Sequence, residues 1–453
     1  MARHTSNRNR AFVDLFTYRK QCCDLAESLV EFMRPCMNHG SFPAPSLPTA
    51  PVYSSGRAYA ERWRNVYMMR IMPESPHAPH SLLHRMTGPL AIEGQWISPW
   101  VTFDFEATEI VPSWNLSAPP EATVVVSLEA RLDDGTTTGW LPTAHWNDLP
   151  ADITTPSATT RSSESSDTSA QTTSQIVSLQ VDTLTASAPR RLNAARLKIE
   201  TDAQPAGEAA VQVVLHLAAL SGFAPGKCQH HEQGQNHEQG ANEQGANASR
   251  KPPTAPLAVP VRSQMLHADT HRAVGGGGES WCSPTSMVML QEFWRGRPLD
   301  AETKEHPVPW TALRTYDAAY SRAGNWSFNV AHVGRREADG QGLEALVTRL
   351  HSLAEAQTLT DGGIPLAASV SFTSDELPEA GYETDGHLLV IAGFTASGDV
   401  VVNDPAAPDD AGVRRTYPRG VFDLAWRRSN RTVYLVHPTD VPLPPAPADE
   451  PTW

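Results

Sequence analysis

Residues 225 to 256 set the first limit on what this chain can fold into. They hold the imperfect repeat His-Glu-Gln-Gly-Gln-Asn-His-Glu-Gln-Gly-Ala-Asn-Glu-Gln-Gly-Ala-Asn, from His231 to Asn247, closed by Lys251-Pro-Pro. Such a stretch buries too little apolar surface to offset the entropy of ordering it, so it reads as a linker. Cys228 and His230 precede it and His231 opens it, without the spacing of a tetrahedral zinc site. Two separate cores must then form, one on each side. A length of 453 residues is ample for two or three domains. The expected order is an amino-terminal helical or irregular extension over 1–57, a β-domain over 58–224, the linker over 225–256, a second domain over 257–440 and a Pro-rich tail over 441–453.

The first domain reads as strands. Glu109–Asn115, Thr123–Arg131, Thr138–Leu141, Ile176–Asp182, Ala195–Glu200 and Val211–Leu217 are short, rich in Val, Ile and Leu, and separated by turns such as Asp133-Asp-Gly135. No long helical pattern interrupts them, which predicts an all-β sandwich or jelly roll. The Ser/Thr-rich stretch near 154–174 reads as a disordered insert within it. Trp96, Trp100, Trp114, Trp140 and Trp146 are mostly core residues on this reading. Any left outside are candidates for binding a carbohydrate or protein ligand.

The formal charge of −14 disfavours nucleic acid and anionic membrane surfaces as partners. No apolar run is long enough to span a membrane. Phe12, Leu15, Phe16, Leu29, Phe32 and Met33 suit an amphipathic helix in the extension, while Asp14, Arg19, Lys20 and Asp24 break up any secretory signal. Cys22, Cys23, Cys36, Cys228 and Cys282 have no paired spacing, which argues against a disulfide framework and against a metal site, and leaves at least one thiol free.

That thiol is best placed at Cys282. The run Gly275-Gly-Gly-Gly-Glu-Ser-Trp-Cys-Ser-Pro-Thr-Ser286 joins a flexible glycine stretch to a helix, with Pro284 in its first turn and Met287, Val288, Leu290, Phe293 and Trp294 on its apolar face. Free N–H groups of a first helical turn lower a thiol's pKa, although a lone cysteine there is as a rule a small buried hydrophobe. Its partner lies in the hairpin Asp385–Phe394, turn Thr-Ala-Ser-Gly, Asp399–Pro405. Pairing Phe394 with Asp399 sets His387 opposite Ala406 and Asp404 diagonally across on the same face, with Asn403 pointing away; one bulge would exchange the two. Further expectations are a helix over Gly342–Ala356 with Leu343, Leu346, Val347, Leu350 and Leu353 inward, and a core strand over 363–371. The acidic loop 372–384 runs just before His387 and reads first as a solvated segment; as a rim of a cleft there it is a candidate for favouring basic substrates.

Trp281-Cys-Ser-Pro-Thr-Ser286, Gly324-Asn-Trp-Ser-Phe-Asn329, Gly386–Phe394 and Asn403-Asp-Pro-Ala406 resemble the signature blocks of papain-like cysteine peptidases related to the bacteriocin-leader (double-glycine) peptidases. They are similar, more closely, to secreted microbial proteins in which a β-rich domain precedes such a peptidase domain. The resemblance covers roughly 255–437 and, more weakly, 96–223. It implies an α+β fold with Cys282 as nucleophile, His387 as general base and Asp404 as orienting acid, acting on a peptide or protein substrate with no cofactor or metal. Family members often carry an oxyanion-hole glutamine a few residues before the cysteine. Here Gln264 is the nearest, well upstream, and Trp281 and Trp326 are candidates for the cleft wall. The relatives usually carry export signals, so this chain either stays in the cell or begins elsewhere than at the mature start. The same three residues also suit a transpeptidase or amidase, and a non-catalytic binding protein acting through the β-domain is the remaining alternative.

Overall fold

Strands dominate both parts of the chain. The computed structural model describes residues 79–119, 122–147, 150, 176–202, 213–225, 255–300, 303, 305–336 and 342–453. All lie within one unit, Val66–Trp453. The expected extension over 1–57, the insert near 154–174, nearly all of the 225–256 linker, and Cys22, Cys23, Cys36 and Cys228 fall outside the described residues.

The amino-terminal part contributes β1 (His80–Ile92), β2 (Gln95–Ile97), β3 (Val101–Ala107), β4 (Glu109–Ser117), β5 (Val124–Leu132), β6 (Leu141–Trp146), β7 (Val177–Gln180), β8 (Thr183–Ala186), β9 (Leu192–Thr201) and β10 (Val213–Ala224). They form two antiparallel sheets, β1-β10-β4-β8-β7 and β2-β9-β5-β6 with β3 also on β9. Alternation makes the inner face: Val126 pairs with Ile199 and Leu128 with Leu197. These side chains share one core with Ile110, Trp114 and Leu116 of β4. Trp114 and Trp146 are interior, as expected, and Trp96 packs against the same core. Trp100 and Trp140 are half-buried instead, with the Arg196 guanidinium 4.6 Å and 5.0 Å from their ring centres.

The carboxy-terminal part holds α1 (Cys282–Arg295), α2 (Pro307–Arg314), α3 (Trp326–Val333), β11 (Leu343–Arg349), α4 (Leu353–Asp361), β12 (Leu366–Phe372), β13 (Thr384–Phe394), β14 (Val400–Asn403), β15 (Arg414–Tyr417), α5 (Arg419–Arg427) and β16 (Thr432–Pro438). Its six strands make one antiparallel sheet, ordered β11-β16-β12-β13-β14-β15. Each face carries its own core. Ala367, Leu388, Val390 and Tyr434 meet Met287, Met289 and Leu290 of α1 on one side, while Leu366, Ala368, Leu389 and Leu435 meet Leu359 of α4 and Phe422 and Trp426 of α5 on the other.

The helix expected over 342–356 is not there. Leu343–Arg349 is strand β11, and the helix begins only at Leu353. Both faces of this strand are covered, Leu346 in one core and Ala345 and Val347 in the other, so it lacks a period-2 alternation and its apolar run imitates helical spacing. The true helix start carries its own signal, since the Ser352 hydroxyl accepts from the Glu355 N–H in a Ser-x-x-Glu arrangement.

Strand β11 lies at the sheet edge, and the amino-terminal part covers it. Ser113 Oγ accepts from Val347 N–H at 2.9 Å, and Ser81 Oγ donates to the Arg349 carbonyl at 2.7 Å. Arg349, 1% exposed, pairs with Glu109 of β4 at 2.6 Å. β4 is therefore buried on both faces, facing its own core on one and α3 and β11 on the other. The tail also crosses over: Leu83 N–H donates to the Pro451 carbonyl at 2.8 Å, and Trp453 is buried in the same core as α4. Among the described residues no helix is long and apolar enough to cross a membrane.

Candidate active site

Cys282 opens α1. Trp281 before it has a non-helical backbone, and Pro284 sits in the first turn, where its missing N–H costs no hydrogen bond. The helix ends at Gly296, whose φ of 65° suits a left-handed cap. Its polar residues anchor it: Ser283 Oγ lies 2.8 Å from the Tyr434 hydroxyl of β16, and Ser286 Oγ donates to the Leu388 carbonyl of β13 at 3.3 Å. The preceding glycines, read from sequence as a flexible run, are a packing device. Gly275, Gly276 and Gly277 all have positive φ, and a Cβ on Gly277 would lie 2.7 Å from the Ala268 carbonyl oxygen. Gly275, Gly277 and Gly278 are buried.

Strand β13 brings His387 to this helix start. Phe394 pairs with Val400 rather than with Asp399, one position away from the expected register, and an irregularity between Ile391 and Gly393 restores it, so that Val390 faces Asn403. Asp404 accordingly falls beside His387, with Asp404 Oδ1 2.9 Å from His387 Nε2. Asn403 turns the other way, its amide donating to the Val259 and Pro260 carbonyls at 3.1 Å and 2.8 Å. With Nε2 occupied by the carboxylate, Nδ1 is the ring nitrogen left over, and the imidazole acts on the Cys282 thiol as a neighbouring charge and donor.

Asp404 is fully buried and accepts at both oxygens. Oδ1 takes the Ala406 N–H at 3.0 Å as well as the imidazole; Oδ2 takes the hydroxyls of Tyr382 and Tyr417 at 2.8 Å and 2.7 Å. Burial works against its charge, but the His387 charge and hydrogen bond, together with Tyr417 and the Ala406 N–H, hold it well below the usual carboxylate range. For His387, burial opposes the cation, yet the Asp404 charge and hydrogen bond, aided by Cys282, push it up to about 10. Burial would raise the Cys282 thiol; the hydrogen bond and charge of His387, then the N–H groups of Leu388 and Ser283, bring it below its ordinary value. Each of the two groups thus favours the charged form of the other.

Residues 256–434 match the model of the Peptidase_C39 like family, and residues 87–221 match that of the Peptidase C39 N-terminal domain. A solved structure from Bacillus anthracis, described as a "putative C39-like peptidase", is 13% identical and aligns over 41% of this chain and 98% of its own, with a TM-score of 0.26, too low to bear on the chemistry. No curated protein matches the chain.

Within this C39-like region the other expected site residues separate. Gln264 is buried beside the site: its backbone N–H donates to the Pro405 carbonyl and its side-chain Nε2 to the Glu279 carbonyl, both at 2.9 Å. Trp281 does not line a cleft. It is fully buried among Val274, Val288 and Leu299, its indole N–H bonded to the Val274 carbonyl, because the first turn of α1 aims it inward. Trp326 is half-buried at the start of α3, and its backbone N–H donates to Asp182 from the β7–β8 turn. In the acidic loop Glu376 is bound by Arg428, while Asp375, Glu379 and Glu383 are exposed. Sequence reasoning missed Tyr382 and Tyr417. Neither stands in a motif, and both reach Asp404 only through tertiary packing.

Proposed function

We propose that the chain is a cysteine peptidase that hydrolyses a peptide or amide bond through Cys282, His387 and Asp404. The reading includes a papain-like α+β peptidase domain over 257–440 and, before it, a β-sandwich domain over 58–224. The observation that carries it is the 2.9 Å contact of Asp404 Oδ1 with His387 Nε2, on an imidazole that in turn lowers the pKa of the Cys282 thiol at the start of α1. The match of residues 256–434 to the C39-like family model supports the same class of reaction.

In this mechanism the Cys282 thiolate attacks the carbonyl carbon, and the negative charge moves to the carbonyl oxygen. The N–H of Cys282 is the first donor assigned to that oxygen. Gln264 is the second, since its Nε2 has one hydrogen beyond the bond to Glu279. As the C–N bond breaks, His387 passes its Nδ1 proton to the departing amine and a thioester remains. Water then gives a proton to the same nitrogen and attacks the thioester, releasing the acid and restoring the pair. Asp404 keeps its charge throughout and holds the imidazole by Nε2.

The test is digestion of a peptide library followed by mass spectrometry, with the Cys282→Ala protein as control. Cleavage is expected from the unsubstituted chain and from neither Cys282→Ala nor His387→Ala, both folded by circular dichroism. Cleavage that persists in either variant would refute the assignment.

A further inference from the structure

Both tyrosines on Asp404 act on the same oxygen, and this has a chemical consequence. Tyr382 comes from the loop between β12 and β13, and Tyr417 from β15; each donates its hydroxyl proton to Oδ2. Tyr382 also presents its ring edge-on to the His387 imidazole, with centroids 5.5 Å apart. Burial and the neighbouring carboxylate push both phenols far above their ordinary values, so both remain protonated donors. Arg415 holds the two together: its Nη1 donates to the Ala380 carbonyl at 2.6 Å, just before Tyr382, and to the Tyr417 hydroxyl at 3.4 Å, and it lies 3.9 Å from Asp404 Oδ2. The charged or titratable groups around the imidazole are thus Cys282, Asp404, Tyr382, Tyr417 and, one layer out, Arg415.

We propose that Tyr382 and Tyr417 are positioning residues that set the pH at which the thiolate–imidazolium pair breaks down. Two hydroxyls on Oδ2 fix the rotation of the carboxylate, so that Oδ1 alone meets the ring. They also draw negative charge away from Oδ1 and weaken its hold on the imidazolium proton. Without them the same carboxylate would keep that proton to higher pH. The inference rests on the Cys282–His387–Asp404 reading above and deepens it, assigning to the tyrosines the tuning of that site rather than any contact with substrate.

The experiment is a nuclear magnetic resonance titration of the His387 side chain in the full chain labelled with 15N-histidine, its signal identified by its loss in His387→Gln. It needs no substrate. Tyr382→Phe and Tyr417→Phe each keep the ring and lose one donor, and each is expected to move the His387 inflection upward by roughly half a unit to one unit. Site-specific replacement of Tyr382 by 3-fluorotyrosine makes the hydroxyl a stronger donor, and the inflection is expected to move down. That arm holds even if a Phe variant fails to fold. An inflection that stays or falls in the Phe variants, or fails to fall with 3-fluorotyrosine, overturns the proposal. A His387 that titrates near 6.5 in the unsubstituted protein would overturn the pairing itself, which separates the two failures.

Discussion

The side-chain amide of Asn115 takes the place of a neighbouring strand for Ala345. Its Oδ1 accepts from the Ala345 N–H at 3.0 Å and its Nδ2 donates to the Ala345 carbonyl at 2.8 Å. An edge strand otherwise offers unpaired backbone groups to any passing chain. Here the amino-terminal sheets satisfy that edge with side chains rather than with a seventh strand, which ties the C39-like region to them through polar contacts inside a closed interface.

Asn115→Ala is expected to leave both groups of Ala345 buried without partners, at a cost of about 2–4 kcal/mol. The check is urea denaturation, where the midpoint should fall with an unchanged slope. Asn115→Asp keeps the acceptor and loses the donor, but it also buries a charge; it should be at least as damaging, and a neutral result would show that the contact contributes nothing.

Asp182 gives a pH-dependent link between the two parts. Burial, partly offset by the Trp326 N–H and the Thr183 hydroxyl and reinforced by Asp317, pushes its carboxyl up to about 6. Its folded value thus exceeds its ordinary 3.8. The stability it contributes is complete below that ordinary value and is lost as the pH rises through about 6, with a slope approaching one proton. Asp182→Asn can still accept from Trp326 and has no charge to bury. Subtracting its stability from that of the unsubstituted chain at pH 4 and pH 7 should expose this slope, and equal differences at the two pH values would rule it out.

Legibility in the sequence followed how local each signal was. The first turn of α1 was readable because Pro284 and the apolar residues after it are neighbours along the chain. The hairpin that carries His387 was readable from its turn, although its pairing starts one residue off and depends on a bulge near Ala392. β11 was hidden because both its faces are covered by elements distant in sequence, which erases the alternation that marks a half-exposed strand. Trp281 follows the same logic: its place beside the cysteine suggested a cleft wall, while its direction depended on a cluster with α2 and Leu299. The Tyr382 and Tyr417 bonds join positions 22 and 13 residues from Asp404 with no repeating spacing to announce them.

Asp404→Asn is expected to lower turnover by about 10²-fold or more while the chain stays folded. The tyrosines decide why. Their two hydroxyls need an acceptor and outnumber the single Ala406 N–H on the other oxygen, so the new amide is expected to turn its oxygen to them and its NH2 toward His387 Nε2. The imidazole then keeps its proton on Nδ1, facing the sulfur, and cannot take the thiol's proton there. Iodoacetamide labelling of Cys282 at pH 6 should slow in parallel with turnover. Fast labelling in this variant would mean that the thiolate does not depend on the carboxylate.

His351 provides the last test, at the carboxy-terminal strap. Its Nδ1 meets Glu355 at 2.8 Å and its Nε2 meets Glu450 at 3.2 Å, while Glu450 also receives the Ser81 N–H at 3.0 Å. Burial would lower this imidazole, but Glu355 and then Glu450 raise it above its ordinary 6.5. A raised histidine contributes stability in full below 6.5 and loses it as the pH climbs through the folded value. His351→Gln keeps some hydrogen bonding and gives up the charge. Its melting temperature should therefore fall below that of the unsubstituted chain by several degrees at pH 6 and by much less at pH 8.5. A deficit that is the same at both values would show that the strap is held by shape alone, with no part for the histidine's proton.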